Sequence, residues 1–264
     1  MMPAMHPSSH LPPGASGTGD HQQTLHACQQ ALRQSRRAGD RAAEAATLAA
    51  IAQLYSTQGD KQQAIAYYQQ ALPLLRQLGD KRTEAVILNN IGAAAFDLGD
   101  IQAALAAFTQ SLPLRRATGD QAGEASTLSN LGRIYDYLGD KQQALACYEQ
   151  ALPLRRAAGD THGEAVTLHN LGGLYAGLDD PEQALYYYEQ AVPLLATLGD
   201  PFGESVARFH LALAAAALGD LPRAEHELEI VVAIDEATHH PDLPHDRAAL
   251  AEIRARRRSQ SQAT

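Results

Sequence analysis

The chain has 264 residues, a formal net charge of −9 and 45% hydrophobic residues, yet only 5% aromatic ones and no tryptophan. The negative balance argues against general nucleic-acid binding, which calls for a basic face. A core so short of aromatics must rest on Ala and Leu, which suits closely packed helices, and two cysteines far apart, Cys28 and Cys147, predict no disulfide and fit a reducing compartment.

Residues 1–18 are rich in Pro, Gly and Ser and are expected to be a disordered tail. The tail has no Lys or Arg and no apolar h-region, so it does not read as a secretory signal. The longest apolar run, around Leu211–Leu218, is too short to span a bilayer. The expectation is a soluble, cytoplasmic protein with no membrane partner.

From Gly19 onward the pair Gly-Asp returns every twenty residues, up to Gly219-Asp220; the one lapse is Asp179-Asp180. Ten of the twenty glycines are used in this way. Gly can take the left-handed conformation that ends a helix, and Asp can cap the start of the next one. Gln63 and Gln143 add the third position of a capping box after Asp60 and Asp140. Pro181 and Pro201 stand at the first helical position, where a missing N–H costs nothing. The pattern predicts helices roughly 27 Å long, joined by two-residue links that make neighbours antiparallel.

Alternate helices differ, so the true period is forty residues. The first helix of each pair (helix A) begins at an invariant Glu: Glu44, Glu84, Glu124, Glu164 and Glu204. Its core stripe is exemplified by Leu128, Leu131, Tyr135 and Leu138, a spacing that buries one face. Helix B carries Ala64, Ala104, Ala144, Ala184 and Ala224 in one register. Helix A carries Ala52, Gly92, Gly132, Gly172 and Ala212 in another. Small residues in both registers predict a close approach of A to B. Pro73, Pro113, Pro153 and Pro193 sit late in helix B, either as a regular bend or as residues tolerated on an exposed face.

The run Leu171-Gly172-x-x-Tyr175, followed by Ala184, Tyr188 and Ala191, resembles the tetratricopeptide repeat. Segments 51–71 and 131–151 match equally well; 91–111 has Ala95 and Ser111 at two of the positions, and 211–231 matches least. Leu48, Leu88, Leu128 and Leu168 replace the usual leading Trp. The forty-residue form is similar to Pins-type adaptors, kinesin light chains and bacterial signalling arrays. The resemblance implies an all-α solenoid, a right-handed superhelix of antiparallel helix pairs, with helix A on the concave face. The expected organisation is a capping helix at 21–38, repeats at 41–80, 81–120, 121–160, 161–200 and 201–238 within an array spanning 19–238, and a linker, last helix and basic tail in 239–264.

The A-helix face opposite the core stripe carries Asn90, Asn130 and Asn170 in register, with His210 after them. An Asn side chain both donates and accepts, so it can pair with the backbone of an extended peptide; in the resembling adaptors this position holds ligand main chain. The alternative is that these residues fill space or serve contacts between repeats. Asn89, Arg133, Tyr137 and His169 neighbour the column, and Arg133 is the cation suited to an acidic group on a ligand. The paired Lys and Arg of chaperone-binding tetratricopeptide domains are missing.

The invariant Glu is expected to favour the helix N-terminus and to pair with Arg76, Arg116 or Arg156. Tyr188 reads as core, with Tyr186 and Tyr187 on seams. Cys28 and Cys147 read as small hydrophobes. His239, His240, Asp242, His245 and Asp246 could supply metal ligands, but the spacing matches no strong zinc pattern, and Pro241 and Pro244 suggest a loose linker. Arg254, Arg256, Arg257 and Arg258 form a solvated helix end, or a site for an acidic partner or nucleic acid. No nucleotide or catalytic motif is present, and no cofactor is expected. The sequence thus points to a non-catalytic scaffold that takes a protein or peptide in the groove, with homo-oligomers through the array ends as a further possibility. A sensory segment serving an effector in another domain or chain is the alternative.

Overall fold

The computed structural model describes residues 16–263; most of the expected N-terminal tail, 1–15, lies outside them. The described residues form twelve α-helices and no strand. They fall into two compact units, Met1–Ala107 and Phe108–Thr264. The first holds α1 (Ser16–Ala38), α2 (Arg41–Thr57), α3 (Lys61–Leu78) and α4 (Lys81–Asp97), and α5 (Ile101–Ala117) crosses the division. The second holds α6 (Gln121–Tyr137), α7 (Lys141–Ala158), α8 (Thr161–Ala176), α9 (Pro181–Leu198), α10 (Pro201–Ala217), α11 (Leu221–Thr238) and α12 (Leu243–Ala263). Within each unit, consecutive helices pack on one another. Among the described residues no helix is long and apolar enough to cross a membrane.

The Gly-Asp signal works as its chemistry requires. Gly159 takes φ +64° at the end of α7, a conformation that costs Gly little. Asp160 then accepts the backbone N–H of Gly163 at 2.9 Å to start α8. Where Gly is missing, Asp179 itself adopts φ +60°. Asp tolerates this region better than most residues. The first pair, Gly19-Asp20, is an exception: α1 runs through it. The late prolines lie inside continuous helices, and all four are exposed. On that side the carbonyl that loses its N–H partner faces solvent.

Packing explains the small-residue registers. A Cβ added at Gly132 would lie 2.8 Å from the Tyr148 ring, and one at Gly172 would lie 2.7 Å from the Tyr188 ring. The missing methyl of helix A is therefore the slot for the helix-B tyrosine. Tyr148 and Tyr188 are each 2% exposed, so the slot holds the largest side chains of the core. Tyr187 stacks on Tyr175 with ring centroids 5.4 Å apart, which places it on the A–B seam, while Tyr186 stays exposed.

The invariant Glu is part of a staple. Arg156 donates from Nε to Glu164 at 2.6 Å and from Nη2 to Gln190 at 3.0 Å. Arg116 repeats this with Glu124 and Gln150 at 2.7 and 2.9 Å. In the first unit Arg36 and Arg76 hold Glu44 and Glu84 at 2.7 and 2.6 Å. Each arginine thus ties the end of one B helix to the start of the next A helix. Position 196 is Ala rather than Arg, and Glu204 turns to Arg208 within α10 at 2.8 Å.

Segment 239–242 is a tight connection. His239 ends α11 with φ +55°, and α12 begins at Leu243. Leu250 and Ile253 of α12 are buried against the apolar side chains of α10 and α11. The basic tail is largely paired: Arg254 bonds Glu225 and Glu229 at 2.9 and 2.6 Å, and Arg257 bonds Glu225 at 2.8 Å.

Candidate functional site

In the first unit the A-helix column is tied to the core through a tyrosine. Asn90 of α4 donates from Nδ2 to the Tyr68 hydroxyl at 3.2 Å. Tyr68 donates in turn to Gln53 Oε1 of α2 at 2.9 Å. The phenol is 2% exposed, and burial raises its pKa, so it remains a protonated donor. Asn90 and its neighbour Asn89 are half-buried.

The second unit repeats and then modifies this arrangement. In α8 the Asn170 side chain lies near enough to the Tyr148 hydroxyl to favour its phenolate, but burial dominates and pushes that phenol far above the usual range. At the next register His210 replaces Asn and stacks on Tyr188, with centroids 5.7 Å apart and an interplanar angle of 16°. His169 meets both rings, 5.4 Å from Tyr188 and 5.2 Å from His210. Burial, aided by the neighbouring His210, holds the His169 pKa down to about 4, and burial lowers His210 as well. Both imidazoles are neutral at pH 7, so they offer hydrogen bonds and ring faces rather than charge. Arg133 and Tyr137 are exposed on α6, and Arg133 lies near enough to Tyr148 to stabilise its phenolate form. Asn130 is half-buried on the same helix. In the register of Tyr68, Tyr148 and Tyr188, Phe108 stands between the first two and brings no hydroxyl.

The remaining candidates sort by burial. Cys147 is buried, and its thiol is pushed up to about 11, which suits packing rather than nucleophilic chemistry. Among the described residues no three His, Cys, Asp or Glu side chains converge as metal ligands do.

A pocket the sequence reading did not foresee lies beside the last repeat. Its walls include Ser205, Val206 and Phe209 of α10, Asp235 of α11, and His245 and Asp246 of α12. Asp246 belonged to the histidine-rich candidate group, but Ser205 and Asp235 did not. Both break a repeat column: Ser205 follows Ala45, Ala85, Ala125 and Ala165, and Asp235 follows Leu75, Arg115, Arg155 and Leu195. Those substitutions were the signal that could have revealed them.

The tetratricopeptide repeat model matches residues 16–77, 83–157 and 142–197. Among solved structures the chain resembles BtubC (BKLC) from P. vanneervenii, with 22% identity over 83% of this chain and 92% of that one, at a TM-score of 0.70. It also resembles a STAND signal-transduction ATPase with a tetratricopeptide repeat sensor from Pyrococcus horikoshii, with 18% identity over 89% of this chain and a TM-score of 0.76. The matched region is 37% of that ATPase chain. A putative kinesin light chain from Podosopora anserina is 21% identical over 73% of this chain and 95% of that one, at a TM-score of 0.59. These likenesses concern the fold. No curated protein matches the chain.

Proposed function

The chain belongs to the tetratricopeptide repeat family, whose repeats act as protein-interaction scaffolds, and we propose that it is a non-catalytic scaffold holding an extended peptide along the exposed face of its A helices. The observation that carries this reading is the anchored amide. Asn90 commits an amide N–H to the buried Tyr68 hydroxyl, and Asn170 stands beside the buried Tyr148 hydroxyl at the same register. The Asn90 bond fixes the amide plane and leaves the carbonyl oxygen and second N–H outside it. A pre-oriented amide can pair with a peptide backbone at little entropic cost. Asn130 continues the register, Asn89 and His169 flank it, and Arg133, Tyr137 and His210 select side chains.

The test is binding of peptides selected from a random display library, measured by fluorescence anisotropy. The Asn90→Ala/Asn130→Ala/Asn170→Ala variant is compared with the parent after circular dichroism shows equal helicity. A loss of tenfold or more in affinity supports the groove. Equal affinity makes the asparagines purely structural and removes the proposal. The Tyr68→Phe variant, which keeps the asparagines but unties Asn90, is expected to weaken binding by a smaller factor.

The likeness to the STAND ATPase favours a second reading, in which the array regulates an effector carried by another domain or chain. Purification of the tagged chain from its native cell, followed by assay for nucleotide hydrolysis or peptidase activity, distinguishes the two. A co-purifying activity that changes when the asparagine column is mutated selects the regulatory reading.

A further inference from the structure

Ser205 and Asp235, the two residues that break the repeat columns, meet in the interior. The Ser205 hydroxyl donates to Asp235 Oδ1 at 2.6 Å. Asp235 is 1% exposed, and its second oxygen, Oδ2, meets no N–H or alcohol donor among the described residues. The imidazole Nδ1 of His240 lies 3.9 Å from that oxygen but already accepts the backbone N–H of Asp242 at 3.2 Å, so it carries no proton to offer. The other near neighbour is a second buried carboxyl. Asp246, 5% exposed in the first turn of α12, contacts Asp235 on one side and the His245 imidazole at 3.1 Å on the other.

Two carboxyls from different helices therefore share a pocket with no Lys or Arg in its lining. The nearby Arg247 of α12 pairs with Glu236 of α11 at 2.6 Å, and Arg208 of α10 pairs with Glu204 and Glu227. Like charges buried together without a cation are costly. Burial first, and then the hydrogen bond that a protonated Asp246 gives Asp235, raise the Asp246 pKa to about 6. Val206 and Phe209 give the pocket an apolar and aromatic wall.

We propose that this pocket receives a lysine side chain of a bound peptide, with the ammonium between Asp235 and Asp246 and the aliphatic stem along Val206 and Phe209. The inference rests on the reading of the chain as a peptide-binding scaffold. Lysine fits better than arginine because a guanidinium fork needs both oxygens of one carboxylate. Ser205 already occupies one oxygen of Asp235, and His245 one of Asp246. A compact ammonium needs only one oxygen from each. It fits better than a divalent ion because the side chains do not converge as metal ligands. The phenyl face of Phe209 suits a cation as well.

The experiment is a titration of the full chain, labelled with ¹⁵N, by the capped peptide Ac-Ala-Ala-Lys-Ala-Ala-NH2 at pH 7.5. Parallel titrations replace Lys by Arg or norleucine, and one uses the norleucine peptide with a free amino terminus. The expected result is saturable shifts confined to residues 205–246 with the Lys peptide, at least tenfold weaker binding of the Arg and norleucine peptides, and weaker Lys binding at pH 5. Asp235→Asn is close in shape and removes the charge repulsion, so it keeps the fold, and it should weaken Lys binding at least tenfold. Glu252→Gln, on an exposed side chain of α12 outside the pocket lining, should change it little. Equal response to Lys and norleucine, tighter binding of Arg, or equal binding of the uncapped norleucine peptide overturns the assignment. Saturation of the same resonances by micromolar Zn²⁺ or Ca²⁺ would make the pocket a metal site and overturn it too. The asparagine triple variant separates the two proposals. Lys shifts that persist in it while selected peptides are lost uphold both, and selected peptides that bind it normally overturn the groove alone.

Discussion

Replacing His169 by Asn should remove part of the acid sensitivity of the second unit. Asn is the residue that α4 carries at the same register, Asn89, so the backbone position tolerates it. His169 is held neutral by burial beside His210 and Tyr188, with a pKa of about 4. In the unfolded chain it titrates near 6.5. As pH falls from 6.5 toward 4 the unfolded chain takes up the proton first, so stability falls with pH across that window. Between pH 7.5 and pH 5 the two pKa values give a loss of about 2 kcal/mol from this group. Asp246 works in the opposite sense. Its raised pKa lets the folded chain bind a proton first between about pH 6 and pH 4, so acidification partly compensates the loss. The comparison of wild type with His169→Asn cancels that contribution. Urea unfolding by circular dichroism at the two pH values is the assay. The wild type should lose about 2 kcal/mol more than the variant on acidification. Equal losses would mean that His169 protonates as readily in the folded protein as outside it, and the burial argument would fail.

Adjacent glycines in α8 should respond with opposite signs. Gly172→Ala drives a methyl into the Tyr188 ring, and the overpacking cost of ~1–3 kcal/mol exceeds the ~1 kcal/mol gained in helix propensity. Gly173→Ala meets only the Tyr188 hydroxyl, at 3.7 Å, and should stabilise by up to about 1 kcal/mol; thermal unfolding of the pair checks both. Asp200→Ala removes the cap bonded to the Gly203 N–H and should cost about 1 kcal/mol, read as a lower urea midpoint. Arg156→Met cuts the staple to Glu164 and Gln190, but the arginine is 47% exposed, so the loss should stay within about 1 kcal/mol and shrink further in high salt.

The sequence by itself determined the helical alternation, because its cause is local. Gly159 ends a helix through its own backbone freedom, and Asp160 starts the next with its own side chain. The family resemblance was legible for the same reason: each repeat states the same short-range rules again. The forty-residue period also revealed the Arg156–Glu164 pairing, since a residue near one helix end and another near the next start must meet across a two-residue turn. The periodicity did not fix what the asparagine column touches. Asn90 reaches Tyr68 of an earlier helix, a contact between repeats that needs the packing of α3 against α4. Nor could spacing place Asp235, thirty residues from Ser205, against it in the interior. The sequence shows both as departures from their columns, but whether two departures face each other depends on helix rotation and on the docking of α12. Those are set by side-chain packing throughout the unit, and only the tertiary structure decides them.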